Sequence, residues 1–323
     1  NYYGPLVLER AGLAGLDQFT ASMSAAVTAA LTAPGREIRN VIEMSREAPF
    51  VDGATSLEPV NTANTYISYY IYGQALALGI DLAIRSRFPG KSLDTWMRTM
   101  WREHPDIQKP YTLDDLQRAL SETTGSPEFA AEIFQKHIYG MEPMDYQTLL
   151  SKAGFLLREA HPSGVWLGAS RAGFSDKGVD LTGPALHGSP LYEAGLDEGD
   201  RVLQWDGKLI TTDHELREWL ASHKPGDHAK LSVQGRGGTR DIDLVLAKAP
   251  GFEIVSFERA GKPLPEDLSA FRKSWLGSRH IRPLPKLEKY CPKCNRALPF
   301  DTQHCPYDGA ELRITRETVA HSK

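Results

Sequence analysis

The stretch from Gly188 to Ile210, GSPLYEAGLDEGDRVLQWDGKLI, decides the fold of the middle of this chain. A small residue and a proline, Ser189 and Pro190, open a short helical turn, because proline fits the first helical position. Gly195 and Gly199 stand where the backbone must turn with positive φ, and Asp200 is placed to hydrogen-bond locally and hold the second turn. A strand ending in Asp206-Gly207-Lys208 and a further strand complete the pattern. Outward from it, short β-rich runs punctuated by Gly, Asp and Pro extend from about Gly154 to Lys248: GVWLGAS at 164–170, AKLSVQG at 229–235 and DIDLVLA at 241–247. Apart from that turn, only TTDHELREWLASH at 211–223 reads as helix. A small β-rich domain over 154–248 follows.

Residues 1–150 have a different grammar. LDQFTASMSAAVTAALTA (16–33) and NTYISYYIYGQALALGIDLAIRSR (64–87) both run out at Pro-Gly. SLDTWMRTMWREH (92–104) has Ser92 as N-cap and Asp94 in its first turn, with Thr95 where a full capping box carries Glu or Gln. Leu93, Trp96, Met97 and Met100 form its expected apolar face. Thr112 to Gly125, and Ser126-Pro127 onward, repeat the cap-to-glycine pattern. Tyr2, Tyr3, Leu6, Val7 and Leu8 fall at helical spacing, so a buried face is expected from the first residues. Beyond the β-rich domain, 249–286 reads as an irregular extension with one helix, PEDLSAFRKSWLG at 265–277, and 287–315 holds the cysteines.

The chain of 323 residues, 41% hydrophobic and 24% charged, is long enough for two or three domains with real cores. Its formal net charge of −4 gives no reason to expect a nucleic-acid or anionic-membrane partner. Apolar runs such as YGQALALGIDLAI read as too short to cross a bilayer, which takes roughly 20 apolar residues.

The central stretch resembles a PDZ domain. The resemblance places Val165, Trp166, Leu167 and Gly168 in the carboxylate-binding loop, which offers backbone N–H groups to a peptide C-terminus while the next strand accepts the peptide. The helix from Asp213 would form the other wall, with Leu216 and Leu220 turned inward. His214 stands where some PDZ domains select a ligand hydroxyl, and a solvated histidine beside a cap is the plainer reading.

Joined to a PDZ domain in this order, the helical half resembles the C-terminal part of the catalytic domain of the glycyl aminopeptidase family of zinc peptidases, with a thermolysin-like fold. NYYGPLVLERAGL (1–13) is similar to the segment after the family's Glu-Gly-x-Thr motif, the helix at 64–87 to its Tyr-Tyr-x-x-Gly helix, KSLDTWMRTMW (91–101) to the next one, and FRKSWLG (271–277) to the element after the PDZ domain. The implied architecture is multidomain α+β: the α-helical half of a thermolysin-like peptidase domain, a PDZ domain (a small β-barrel with helices) and a zinc ribbon. The family's His-Glu-x-x-His helix carries two zinc ligands and the general base, and its third ligand is a Glu shortly before the double tyrosine, here Tyr2-Tyr3. No His-Glu-x-x-His stands in this sequence. The expectation is therefore a C-terminal portion whose catalytic zinc is held upstream by the missing N-terminal half of the same polypeptide, and a chain inactive as a peptidase by itself. The resemblance implies peptide or protein substrates with N-terminal Gly or Ala, and Tyr70, three residues before Gly73, as the oxyanion-stabilising hydroxyl, with Tyr69 as the alternate. The family often has Lys where Tyr72 stands. A tyrosine stripe packing a helix bundle is the structural alternative for Tyr66, Tyr69, Tyr70 and Tyr72, and loop exposure that for Asn61 and Asn64.

CPKCNRALPFDTQHCPYDG (291–309) has zinc-ribbon layout, two Cys two residues apart and a third ten residues on. Cys291, Cys294 and Cys305 would hold structural zinc, with Asp308 where a fourth Cys is expected and His304 as the other available ligand. A degenerate ribbon serving as an interaction tag is the competing reading. The alternative for the whole chain is a non-enzymatic PDZ and zinc-ribbon adaptor that binds protein C-termini. Relatives of this type are bacterial and exported, periplasmic or secreted, whereas a thiolate knuckle suits a reducing compartment, so localisation stays open at this level.

Overall fold

The computed structural model describes residues 1–53, 61–277, 288–294, 297–299, 303–307 and 309–314. They fall into two compact units, 1–278 and 279–323.

The first unit starts with helices α1 (Tyr3–Arg10), α2 (Leu16–Thr32), α3 (Val41–Arg46), the single turn α4 (Thr62–Thr65), and α5 (Tyr69–Arg87). Helices α6 (Leu93–Glu103), α7 (Leu113–Thr124), α8 (Pro127–Ile133) and α9 (Tyr146–Ser151) follow. Local chemistry sets their ends. At α6 the short Thr95 hydroxyl does close the capping box, accepting from the Ser92 amide at 2.7 Å. At α7, Thr112 and Asp115 cap each other, and Gly125 ends the helix at φ 71°. The Thr112 amide and hydroxyl, with Arg118, hold the Asp115 carboxyl down at about 2. Packing narrows the expected faces. Tyr2 and Leu6 are buried while Val7 and Leu8 are exposed, and on α6 Met97 is exposed beside buried Leu93, Trp96 and Met100, because each helix meets neighbours on one side only.

The stretch Thr62–Arg87 corrects the reading of short apolar runs: by length and composition it could cross a bilayer, yet 61% of its most apolar window is buried within this fold. The expected single helix over 64–87 is broken by extended backbone at Tyr66, and its main part, α5, is the central helix of the core, with Ala75, Leu78, Leu82 and Ile84 fully buried.

Strand β1 (Phe155–Glu159) departs from the expected boundary of the β-rich domain. It pairs antiparallel with β9 (Phe252–Ser256), so the chain leaves and re-enters the helical layer through one two-stranded ribbon. The ribbon lies on α2: the Thr28 hydroxyl donates to Phe252 O and accepts its amide, and Ser24 Oγ accepts the Ile254 amide at 2.8 Å. The extension after the β-rich domain is thus structured by pairing with residues almost a hundred positions earlier.

Between these strands lie β2 (Val165–Trp166), β3 (Ala172–Ser175), β4 (Gly178–Leu181), α10 (Pro190–Glu193), β5 (Arg201–Trp205), α11 (Asp213–Ala221), β6 (His228–Gly235), β7 (Gly238–Val245) and β8 (Ala247–Lys248). The order β3-β4-β5-β6-β7 is antiparallel throughout, with β3 at one edge, and β2 pairs with β8. A separate core of Leu181, Leu191, Val202, Trp205, Leu231 and neighbours fills it. Gly195 and Gly199 have φ of 71° and 93°, as their turns require. Helix α12 (Glu266–Leu276) then returns to the helical core, where Trp275 is buried among Phe19 and Phe155.

The second unit has strands β10 (Glu288–Tyr290), β11 (Ala297–Pro299) and β12 (Arg313–Ile314), with β10 central and both pairings antiparallel.

Candidate functional site

Tyr70 is the second residue of helix α5, after Tyr69, and the two rings lie 4.3 Å apart between centroids. Tyr70 is 51% exposed, and its hydroxyl has no hydrogen-bond partner among the described residues. Tyr72 is buried, and burial raises its pKa, with Arg36 opposing. The four tyrosines are therefore not one stripe: Tyr72 packs into the core, and Tyr70 presents its ring to solvent.

The turn that precedes α5 is tied to the β-rich domain by Asn64. Its side chain, 2% exposed, donates to Asn61 Oδ1 at 3.0 Å and to Ala185 O at 2.9 Å, and accepts the His187 amide at 2.9 Å. The exposed-loop reading of Asn64 is thus wrong: two of its bonds cross to a loop more than a hundred residues away, a distance that no local pattern reports. Only an amide side chain both donates and accepts in this fixed geometry.

The loop 184–188 continues the connection. Leu186 N–H donates to Gly168 O, and Leu191 N–H donates to Leu167 O. Gly168 has φ 87°, and Ser189 occupies the space a Cβ would need. The amides of Leu167, Gly168 and Ala169 donate to no acceptor among the described residues, and β3, which follows them, is the edge of its sheet. Val165 and Trp166 are half-buried in β2, while Leu216 and Leu220 on α11 pack partly buried on the same core. His214 is exposed and lies 3.4 Å from Glu218 on its own helix.

Behind these surfaces lies a buried polar network that sequence reasoning did not single out. Tyr2 OH donates to Asp81 Oδ2 at 2.7 Å and accepts from Trp275 Nε1 at 2.8 Å. Asp81 Oδ1 also accepts from Arg85 Nε and from the Leu93 amide. Arg10 and Arg85 both pair with Asp94, and both donate to carbonyls of α12, Trp275 O and Ser274 O. The signal available was a lone Asp inside an apolar helix with Arg four residues on.

In the second unit, the Sγ atoms of Cys291, Cys294 and Cys305 all lie within 4.8 Å of one another, and Cys294 and Cys305 are 3.7 Å apart. Tetrahedral coordination with Zn–S bonds of about 2.3 Å places sulfurs about 3.8 Å apart. The amides of Lys293 and Cys294 both point at Cys291 Sγ, at 3.4 Å. These three cysteines could hold a metal ion. His304 is exposed and bridges to Glu311 across the knuckle. Asp308 lies outside the described residues. Among the described residues no other group of three or more His, Cys, Asp or Glu side chains converges in this way.

Comparison with known proteins relates the start of the helical layer to peptidases and the β-rich module to PDZ domains. Residues 1–76 match the family model of M61 glycyl aminopeptidase, and residues 186–246 match that of the PDZ domain. An aminopeptidase N family protein from Idiomarina loihiensis has the same fold, with a TM-score of 0.70 at 20% identity over 85% of this chain and 47% of its own. A probable periplasmic serine endoprotease DegP-like protein of Hahella chejuensis is 28% identical over 88 residues, 27% of this chain and 19% of its own length. The chain therefore spans about half of the first relative and about a fifth of the second.

Proposed function

We propose that this chain is the C-terminal portion of a zinc metallo-aminopeptidase that hydrolyses peptides with N-terminal Gly or Ala, and that Tyr70 is its oxyanion-stabilising hydroxyl, with Tyr69 packed against it as the alternate. The observation that carries this reading is a half-exposed phenol at the start of the buried central helix, in the segment that matches a glycyl aminopeptidase. Among the described residues no group of His, Cys, Asp or Glu side chains near Tyr70 converges as a ligand set, and in this reading the catalytic zinc ligands belong to the remainder of the complete polypeptide. Tyr70 contributes one hydrogen bond, donated to the oxygen that gains charge as the scissile carbonyl becomes tetrahedral. In the complete polypeptide, Tyr70→Phe is expected to lower kcat on Gly-X substrates by about 10²–10³ with little change in KM. An unchanged kcat, or zinc-dependent hydrolysis by the 323-residue chain alone, would count against the reading.

The PDZ module in this proposal binds a peptide or protein C-terminus. Three consecutive unengaged amides beside an edge strand support it, since they match a carboxylate and an added strand. Binding that survives amidation of the peptide's C-terminus would exclude it. The DegP-like relative is periplasmic by name, and an exported bacterial protein is the setting this reading carries.

The three cysteines are proposed to hold structural zinc, completed by Asp308 or His304. One equivalent of zinc in the purified protein, lost in Cys291→Ser, is the expected result; a metal-free protein with the same stability would remove the assignment.

A further inference from the structure

A pocket of about 410 Å³, open to solvent, lies among α3, α5, α6, α7 and the helical turn Phe134–Ile138, away from the polar surfaces described above. Its wall is almost wholly apolar: Ile42, Leu76, Trp96, Leu116 and Phe134 line it with three further aliphatic side chains. The size and composition are those of small-molecule sites, which fall at roughly 300–1,000 Å³ and carry few polar groups. Only two lining side chains bring available polar atoms. The indole N–H of Trp96 is already spent on Leu116 O, at 3.1 Å. Ser45 and Arg46, both exposed at the end of α3, have side chains without a hydrogen-bond or ion-pair partner among the described residues. Among the described lining residues there is no carboxylate, and Arg46 supplies the one charge.

That combination selects the occupant. A peptide would bring amides that the apolar wall cannot pair, each at a desolvation cost. An unsubstituted alkyl or aryl tail has no such cost and gains by leaving water. The guanidinium and the hydroxyl at the rim match a single anionic head, since arginine binds carboxylate with charge-assisted, often bidentate hydrogen bonds. We propose that this cavity binds an amphipathic monocarboxylate, with its hydrocarbon tail against Leu76, Trp96 and Phe134 and its carboxylate on Arg46 and Ser45. The site is independent of the peptidase reading and of the PDZ groove.

The test is calorimetric titration of the full chain with decanoate below its micellar range, beside decan-1-ol, which has the same tail and no charge. Saturable one-to-one binding of decanoate is expected, with decanol at least tenfold weaker. Arg46→Gln should weaken decanoate about tenfold and leave decanol unaffected; the substituted residue is exposed, so folding is not at risk. The indole N–H resonance of Trp96, identified through Trp96→Phe, should shift on saturation and locate the tail. Absence of decanoate binding would overturn the proposal. So would equal affinity for decanoate and decanol, insensitivity to Arg46→Gln, or a Trp96 signal that does not move at saturation.

Discussion

Trp275→Ala is expected to lower the unfolding free energy by about 3–5 kcal/mol, the range for truncating a large aromatic in a packed core. Trp275 is 1% exposed although it lies on α12, beyond the whole β-rich domain. Its ring meets Phe19 and Phe155 edge-on, at 5.5 and 6.1 Å between centroids. Its indole N–H donates to Tyr2 OH, and its carbonyl accepts from Arg10. Alanine would leave a cavity and remove one of the two bonds of a buried phenol. It would also loosen the last helix of the unit from the first. Arg272, one turn earlier, still anchors α12 through Ala153 O and the Phe155 ring, so the helix should remain in place while its far end frays. Urea unfolding curves of wild type, Trp275→Phe and Trp275→Ala would measure this. Phenylalanine keeps most of the ring and should cost clearly less. A loss below 1 kcal/mol for alanine would mean that the Trp275 ring contributes little to the helical core.

Asp81→Ala should cost a similar amount, about 3–5 kcal/mol, for an electrostatic reason. The Asp81 side chain is fully buried and accepts from the Tyr2 hydroxyl, Arg85 and the Leu93 amide. Its loss leaves the Arg85 guanidinium, 8% exposed, with Asp94 as its remaining ion-pair partner, and strips the N-terminal amide of α6 of its acceptor. A buried charge left short of partners is what makes such truncations expensive. The same network makes the fold sensitive to alkali. Burial, then the Asp81 charge, raises the Tyr2 pKa well above the ordinary tyrosine value. The unfolded chain releases that proton near pH 10 and the folded one holds it. The contribution is therefore complete below about pH 10 and is lost as pH rises further through the folded value. Thermal melts of wild type and Asp81→Ala between pH 7 and pH 11 would check both statements. Equal melting temperatures at pH 7 would refute the first.

What could be read before folding was local chemistry. Caps at Ser92, Thr112, Ser126 and Thr212 each act on amides three residues away, so their signatures lie within one helical turn. The same holds for the glycine turns at Gly195 and Gly199, and for the knuckle spacing of Cys291 and Cys294. The resemblance to a glycyl aminopeptidase joined to a PDZ domain rested on the order of such local patterns, and family models match both segments. The position of Tyr70 at the start of α5 was legible in that way; the separation of its exposed ring from buried Tyr72 was not.

By itself the sequence determined most element types and the capped helix ends, because these depend on hydrogen bonds and apolar spacing within a few residues; it did not show the break before Tyr69. Tertiary structure alone decided the pairing of β1 with β9, the burial of Asn64 against the loop at 184–188, the closure of Tyr2, Asp81 and Trp275 into one network, and the cavity beside Arg46. The three paired features join residues 79 to 273 positions apart, or nearly so, as in Tyr2 with Asp81 and with Trp275. Each becomes favourable only when packing has excluded water from both partners. Before that, Asp81 is a solvated carboxylate, Asn64 an ordinary loop amide, and Trp275 an aromatic with no core to enter.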